Sequence, residues 1–158
     1  MQDLWNTLTG AEFIQAMADG RLPPVADVST YIGQVVEKAE PGRIVLAWTP
    51  EEKLCNPGGL VHGGFIATIL DNAVCLAAAS AGDLFLPQLT LSLNVDYLRP
   101  VTADVTYQVV GTVVHGGRTR TVSTATVFDP SGRPCATATA SVTGNQAFAR
   151  ERKVTTDA

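Results

Sequence analysis

Asp71 stands as a lone acid in the apolar run FIATILDNAVCLAAASA, residues 65 to 81, directly after the turn His62-Gly63-Gly64. Leu, Ile, Phe, Val and Ala surround it on nearly every face of a helix, so the helix is expected to be buried. A carboxylate taken out of water without partners costs several kcal/mol, a cost a chain rarely carries without reason. A helix that opens on small residues and holds one acid reads as an active site.

The chemistry such a pair could do follows from the helix N-terminus. Gly63 and Gly64 let a substrate come close to the backbone. Two or three unpaired N–H groups there can hold a developing oxyanion, worth about 3–4 kcal/mol of a barrier. Asn56 and His62 could add side-chain donors, although an Asn before Pro-Gly is commonly a turn former and a His near a helix start is often a cap or a core residue. Asp71 lies eight residues beyond Gly63, about 12 Å along the axis at ~1.5 Å per residue. A carbonyl held at the N-terminus must lie within roughly 3 Å of its nucleophile or of a base-bound water. One helix cannot meet both demands. A second copy, packed antiparallel across a two-fold axis, would bring its Asp71 to the first copy's N-terminus and make two shared sites per dimer.

Around these residues the chain reads as one domain of 158 residues, 46% hydrophobic and 16% charged, enough to bury a full core. A net charge of −4 argues against a nucleic-acid partner, which would call for a basic face. Seven of the eleven Lys and Arg residues lie at or after Arg99, among them Arg118, Arg120, Arg133, Arg150 and Arg152. That half could meet an anion, or simply present a solvated strand face. Cys55, Cys75 and Cys135 lack metal-ligand spacing, and with only two histidines no metal site is expected. Cys75 reads as a small core residue. The N-terminus has no basic region before a long apolar stretch. The apolar run could barely reach across a bilayer and contains Asp71, Asn72 and much Ala. A core helix in a cytoplasmic protein, with no membrane partner, is the expectation.

The elements that must position the site are legible in outline. Residues 11 to 19 form a short amphipathic helix ended by Gly20 and Pro23-Pro24. Strands follow at 31 to 38 and 43 to 48, parted by a Pro41-Gly42 turn, then the loop Cys55-Asn56-Pro57-Gly58-Gly59 and the long helix, ended by Gly82. Residues 88 to 98 alternate apolar and polar, and 102 to 114, 118 to 128 and 133 to 143 are further strand-like runs. In the second His-Gly-Gly, at 115 to 117, paired glycines are expected to supply the positive φ of a hairpin turn. The order β-β-α-β-β-β-β predicts an α+β fold, an antiparallel sheet curved around one long helix. Residues 1–30 read as a helical extension, 31–145 as the domain and 146–158 as a flexible polar tail.

The stretch NPGGLVHGG, residues 56 to 64, followed by Asp71-Asn72, resembles hotdog-fold acyl-CoA thioesterases of the phenylacetate-pathway (PaaI-type) group within the 4-hydroxybenzoyl-CoA thioesterase superfamily. LTLSLNVDYLRP and GGRTRTVSTATV, further on, are similar to that group as well. The resemblance implies a hotdog fold and hydrolysis of an acyl- or aryl-CoA to acid and CoA, with no cofactor. It makes Asp71 the carboxylate that activates water or attacks the thioester. It assigns carbonyl polarisation to Gly63 N–H and Asn56 of the opposite subunit, and support of the loop or the leaving thiolate to His62. Thr90 would position water, unless it is only a good β former. Gly117, Arg118 and Thr119 would meet the nucleotide phosphates of CoA, with Arg99 a further candidate. A homodimer with shared sites, paired again into a tetramer, is implied. One departure stands out: in relatives of the 4-hydroxybenzoyl-CoA type the resemblance implies Glu with a Thr one turn on, where this chain has Asp71 and Cys75. Two other readings stay open. A hotdog hydratase or 3-hydroxyacyl thioester dehydratase would use His62 as its base, and a non-catalytic acyl-CoA sensor would need no reactive acid.

Overall fold

The structure, a computed structural model, describes residues 6–22 and 27–149. The Pro23-Pro24 stop and the tail beyond residue 149, with Arg150 and Arg152, lie outside the described residues. Six strands form one antiparallel sheet in the order β1-β2-β4-β5-β6-β3. They are β1 (Gln34–Glu40), β2 (Arg43–Trp48), β3 (Gln88–Tyr97), β4 (Tyr107–Gly116), β5 (Thr121–Phe128) and β6 (Pro134–Gly144). The sheet wraps around one long helix, which packs against all six strands. This is the hotdog fold.

Two shorter helices precede the sheet. Helix α1 (Gly10–Ala18) starts at a capping box, in which Thr9 and Glu12 satisfy each other's backbone N–H. It buries Phe13, Ile14 and Ala16, and Phe13 stacks on Phe85 at 4.5 Å. Helix α2 (Asp27–Ile32) occupies residues where a strand beginning at 31 was expected. Gly33 separates the two, at φ +79° and with its α-carbon against the Thr49 carbonyl, a conformation and an approach that a side chain would obstruct. Apolar patterning runs straight through that joint, so the break is carried by backbone geometry alone. A similar correction holds at β4, which begins at Tyr107 and not at 102. There Asp104 takes a left-handed conformation, φ 61°, and its N–H donates to the Pro50 carbonyl, so residues 102 to 106 turn before the strand starts.

The long helix α3 (Gly63–Ser80) lies on the concave face because small residues let it approach. Ala125, Ala136, Ala138 and Ala140 line the sheet and Ala73 and Ala77 the helix, all buried. Gly111 of β4 meets the Ala73 carbonyl so closely that any Cβ would collide with it. Gly111→Ala is therefore expected to destabilise by about 1–3 kcal/mol through overpacking. The measurement is a lower urea midpoint at unchanged slope; an unshifted midpoint would mean the helix can lift away at no cost. By length and composition α3 could cross a membrane, but its buried face, from Ile66 through Leu70, Val74 and Ala77, forms the centre of the core.

Candidate active site

The loop before α3 is tied to itself. Asn56 N–H donates to the Leu60 carbonyl, and the Asn56 side-chain oxygen accepts from Gly58 N–H at 2.9 Å and Leu60 N–H at 3.4 Å. The turn-forming reading of Asn56 thus holds for its oxygen. Its Nδ2 has no partner among the described residues and stays available as a donor. The loop hands the chain to His62, whose N–H donates to the Leu54 carbonyl.

His62 is the N-cap of α3. Its Nδ1 accepts from Gly64 N–H at 2.9 Å, which puts the imidazole proton on Nε2. Phe65 and Ile66 N–H both donate to the His62 carbonyl. The expected two or three open amides therefore reduce to one: Gly64 N–H is spent on the cap, and in this first turn Gly63 N–H is the amide left without a partner among the described residues. Tyr97, at the end of β3, covers this amide's residue. Its hydroxyl donates to the Gly63 carbonyl at 2.8 Å, and its ring lies 3.3 Å from where a Cβ on Gly63 would sit. Sequence reasoning missed Tyr97, which in a period-2 strand looks like any other aromatic.

Asp71 is half-buried, not enclosed on nearly every face. It sits on a stripe of α3 with Thr68, Asn72 and Cys75, the side that the sheet leaves partly open. Thr90 of β3 donates to Asp71 Oδ1 at 2.6 Å. Cys75 Sγ lies 3.3 Å from the same hydroxyl oxygen. Because the Thr90 proton points to Asp71, Cys75 must supply the S–H of that contact. Burial pushes the Cys75 thiol up to about 11; the Thr90 hydrogen bond opposes this and the Asp71 charge adds to it. Cys75 is thus a protonated donor rather than a nucleophile. Next along the stripe, Asn72 Nδ2 donates to Gln34 Oε1 at 2.8 Å.

The β4–β5 turn differs from the hairpin expected. Neither Gly116 nor Gly117 has a positive φ. Gly117 N–H donates to the Arg120 carbonyl, and a Cβ on Gly117 would sit 2.7 Å from that oxygen. Close approach, and not handedness, requires the glycine. Arg118 and Thr119 form the exposed tip. Among the described residues the side chains of Arg118 and Arg120 have no ion-pair or hydrogen-bond partner, whereas Arg21, Lys38, Arg43, Lys53 and Arg133 each have a carboxylate. Arg99 instead donates to the Pro134 carbonyl at 2.6 Å.

Within one chain, then, the structure brings Thr90 and Cys75 to Asp71, and His62 and Tyr97 to the start of the same helix, while Asn56 lies in the loop that precedes it. It does not bring the two groups together. They are separated by about two turns of α3.

A six-stranded antiparallel sheet wrapped on one long helix is the architecture of the hotdog-fold thioester hydrolases. The chain belongs to the thioesterase superfamily, whose family model matches residues 58–136. A Halobacterium salinarum protein named as an esterase is 36% identical over 75% of this chain and 81% of its own length. A Streptococcus mutans protein, solved bound to acetyl CoA, superposes with a TM-score of 0.66 at 28% identity, covering 71% of this chain and 88% of that one. The E. coli PaaI protein, from the phenylacetic acid degradation operon, superposes with a TM-score of 0.75 at 18% identity, over 85% of this chain and 96% of that one. That last likeness is one of fold.

Proposed function

We propose that this thioester hydrolase acts on acyl- or aryl-CoA, with Asp71 as general base or nucleophile and Gly63 N–H and Asn56 Nδ2 of a second copy polarising the thioester carbonyl. The observation that carries this is the 2.6 Å hydrogen bond from Thr90 to Asp71 on the open stripe of α3. It leaves the second carboxylate oxygen without a partner among the described residues, ready for a water or for the carbonyl carbon. The reaction needs only water and the thioester: the C–S bond breaks, a C–O bond forms, and the thiolate leaves with CoA. His62 Nε2–H serves as a donor to the loop or the departing sulfur. The same tautomer argues against a dehydratase, because a ring whose Nδ1 already accepts a backbone N–H and whose Nε2 carries the proton has no lone pair left for a base.

A second copy is called for by the distance along α3, and β3 offers a place for it. As an edge strand it leaves unpaired backbone groups, and Leu89, Leu91, Tyr97 and Leu98 are each about half exposed along or just beyond it. Pairing there would place Thr90 and Asp71 near the two-fold axis. A dimer, or a dimer of dimers, is the assembly proposed, in the cytoplasm where CoA thioesters are made and used.

The direct test is thiol release from a panel of CoA thioesters, set beside enoyl absorbance. Free thiol with no change in enoyl signal is expected. Loss of enoyl absorbance with the thioester intact would replace hydrolysis with hydration.

Arg118 carries a further expectation. At the exposed β4–β5 tip, without a carboxylate partner among the described residues, it suits the CoA phosphates. Arg118→Ala should raise KM several-fold with little change in kcat, since phosphates far from the reacting carbon bind ground and transition states alike. The effect should shrink at high salt. Equal Michaelis constants for both proteins at low and high salt would remove Arg118 from the binding site.

A further inference from the structure

Beside the Asp71–Thr90 pair lies a cavity of about 860 Å³, within the range of small-molecule sites. One wall is the continuation of the catalytic stripe: Asn72, Cys75, Leu76 and Ala79 of α3, spaced i, i+3, i+4 and i+7, line it over about two turns. Cys75 is thus shared, touching Thr90 on one side and the cavity on the other. The opposite wall comes from the end of α1, from α2 and from β1, through Met17, Ala18, Leu22 and Val36 among others. All of these precede residue 58, where the match to the family begins.

We propose that the end of α1 with Gly20 to Leu22, together with α2 and the start of β1, forms the specificity element of this enzyme, walling a pocket for a neutral aliphatic acyl chain that runs from the reacting carbon past Cys75 and Leu76. This rests on the acyl-CoA hydrolysis proposed above. The occupant follows from the wall chemistry. Met17, Leu22, Val36, Leu76 and Phe85 offer apolar surface. Asn72 Nδ2 donates to Gln34 Oε1, so these two amides are partly engaged with each other, and the polar surface they leave beside the apolar wall is uncharged. Among the described residues the cation on the rim is Arg21, which is bonded to Asp19 at 3.2 Å, so a carboxylate at the far end of the acyl chain would meet a cation already paired. The length of the wall along α3 also exceeds what an acetyl group could use.

The experiment compares kcat/KM for acetyl-, octanoyl- and suberyl-CoA. Each methylene buried adds up to about fourfold, so octanoyl-CoA should exceed acetyl-CoA by at least about a hundredfold. It should also exceed suberyl-CoA, equal in length but ending in a carboxylate, at least tenfold. Ala18→Trp and Leu76→Trp each fill the cavity, one from the N-terminal segment and one from α3. Either should cut the octanoyl-to-acetyl ratio at least tenfold, with folding checked by circular dichroism. A wild-type ratio near one, equal use of suberyl-CoA, or an unchanged ratio in folded Ala18→Trp would overturn the specificity element while leaving thioester hydrolysis intact. No thiol from any of the CoA thioesters would overturn the reading on which it rests. The wild-type comparisons decide the matter even if both variants misfold.

Discussion

Asp71→Asn is expected to lower kcat by at least about 10²-fold, the usual scale for losing a general base, while leaving the fold untouched. The structure explains why this substitution isolates the charge. Asp71 Oδ1 accepts one hydrogen bond, from Thr90, and an amide oxygen can accept the same bond in the same place. Half-burial on the open stripe of α3 means that no buried partner is orphaned by the change. What disappears is the negative charge and the lone pair on the second oxygen. The measurement is thiol release from the best substrate by purified protein with a wild-type circular dichroism spectrum. Near wild-type turnover would show that the carboxylate is not the catalytic group.

How far the site was legible before the structure depends on which physical property carried it. The apolar run with one acid announced α3, because burial writes itself into composition and period. The strand runs were found for the same reason, through alternation and β-branched residues. The misses share a different character. α2, the turn at Asp104 and the β4–β5 turn depend on backbone torsion angles and on close approaches, at Gly33, Asp104 and Gly117, that hydrophobic pattern does not report. The cap is another such case: a His before two glycines shows that donors exist, but not that Nδ1 consumes the one on Gly64. Tyr97 and Cys75 were missed as site residues because their partners lie 34 and 15 residues away along the chain. Only the pairing of β3 with β6, and the packing of that edge on α3, brings them in. Thr90 was named, but only through resemblance to a family. Its hydrogen bond to Asp71 supplies the physical reason that a good β former at that position could not.

Those long-range placements also decide the sharpest expectation, which concerns how the two halves of the site combine. Asp71, bonded to Thr90 of β3, and Gly63, which follows the Asn56 loop, sit about two turns apart on one continuous helix. A substrate carbonyl that uses both must take them from different chains. Mixing inactive Asp71→Ala with inactive Asn56→Ala subunits, under conditions that allow exchange, should therefore restore activity. In each mixed dimer both defects fall on one of the two symmetry-related sites and the other is built wholly from intact parts. Random exchange makes about half of the dimers mixed, each with one working site, so roughly a quarter of wild-type activity should return. Asn56→Ala also removes the oxygen that accepts from Gly58 and Leu60, so a loosened loop could by itself inactivate that subunit. Complementation excludes misfolding of the whole Asn56→Ala chain, because an unfolded chain would not supply a working Asp71 to its partner. Heterodimers confirmed by mass and still inactive would show that both groups serve one chain's site, or that one of them takes no part in the chemistry.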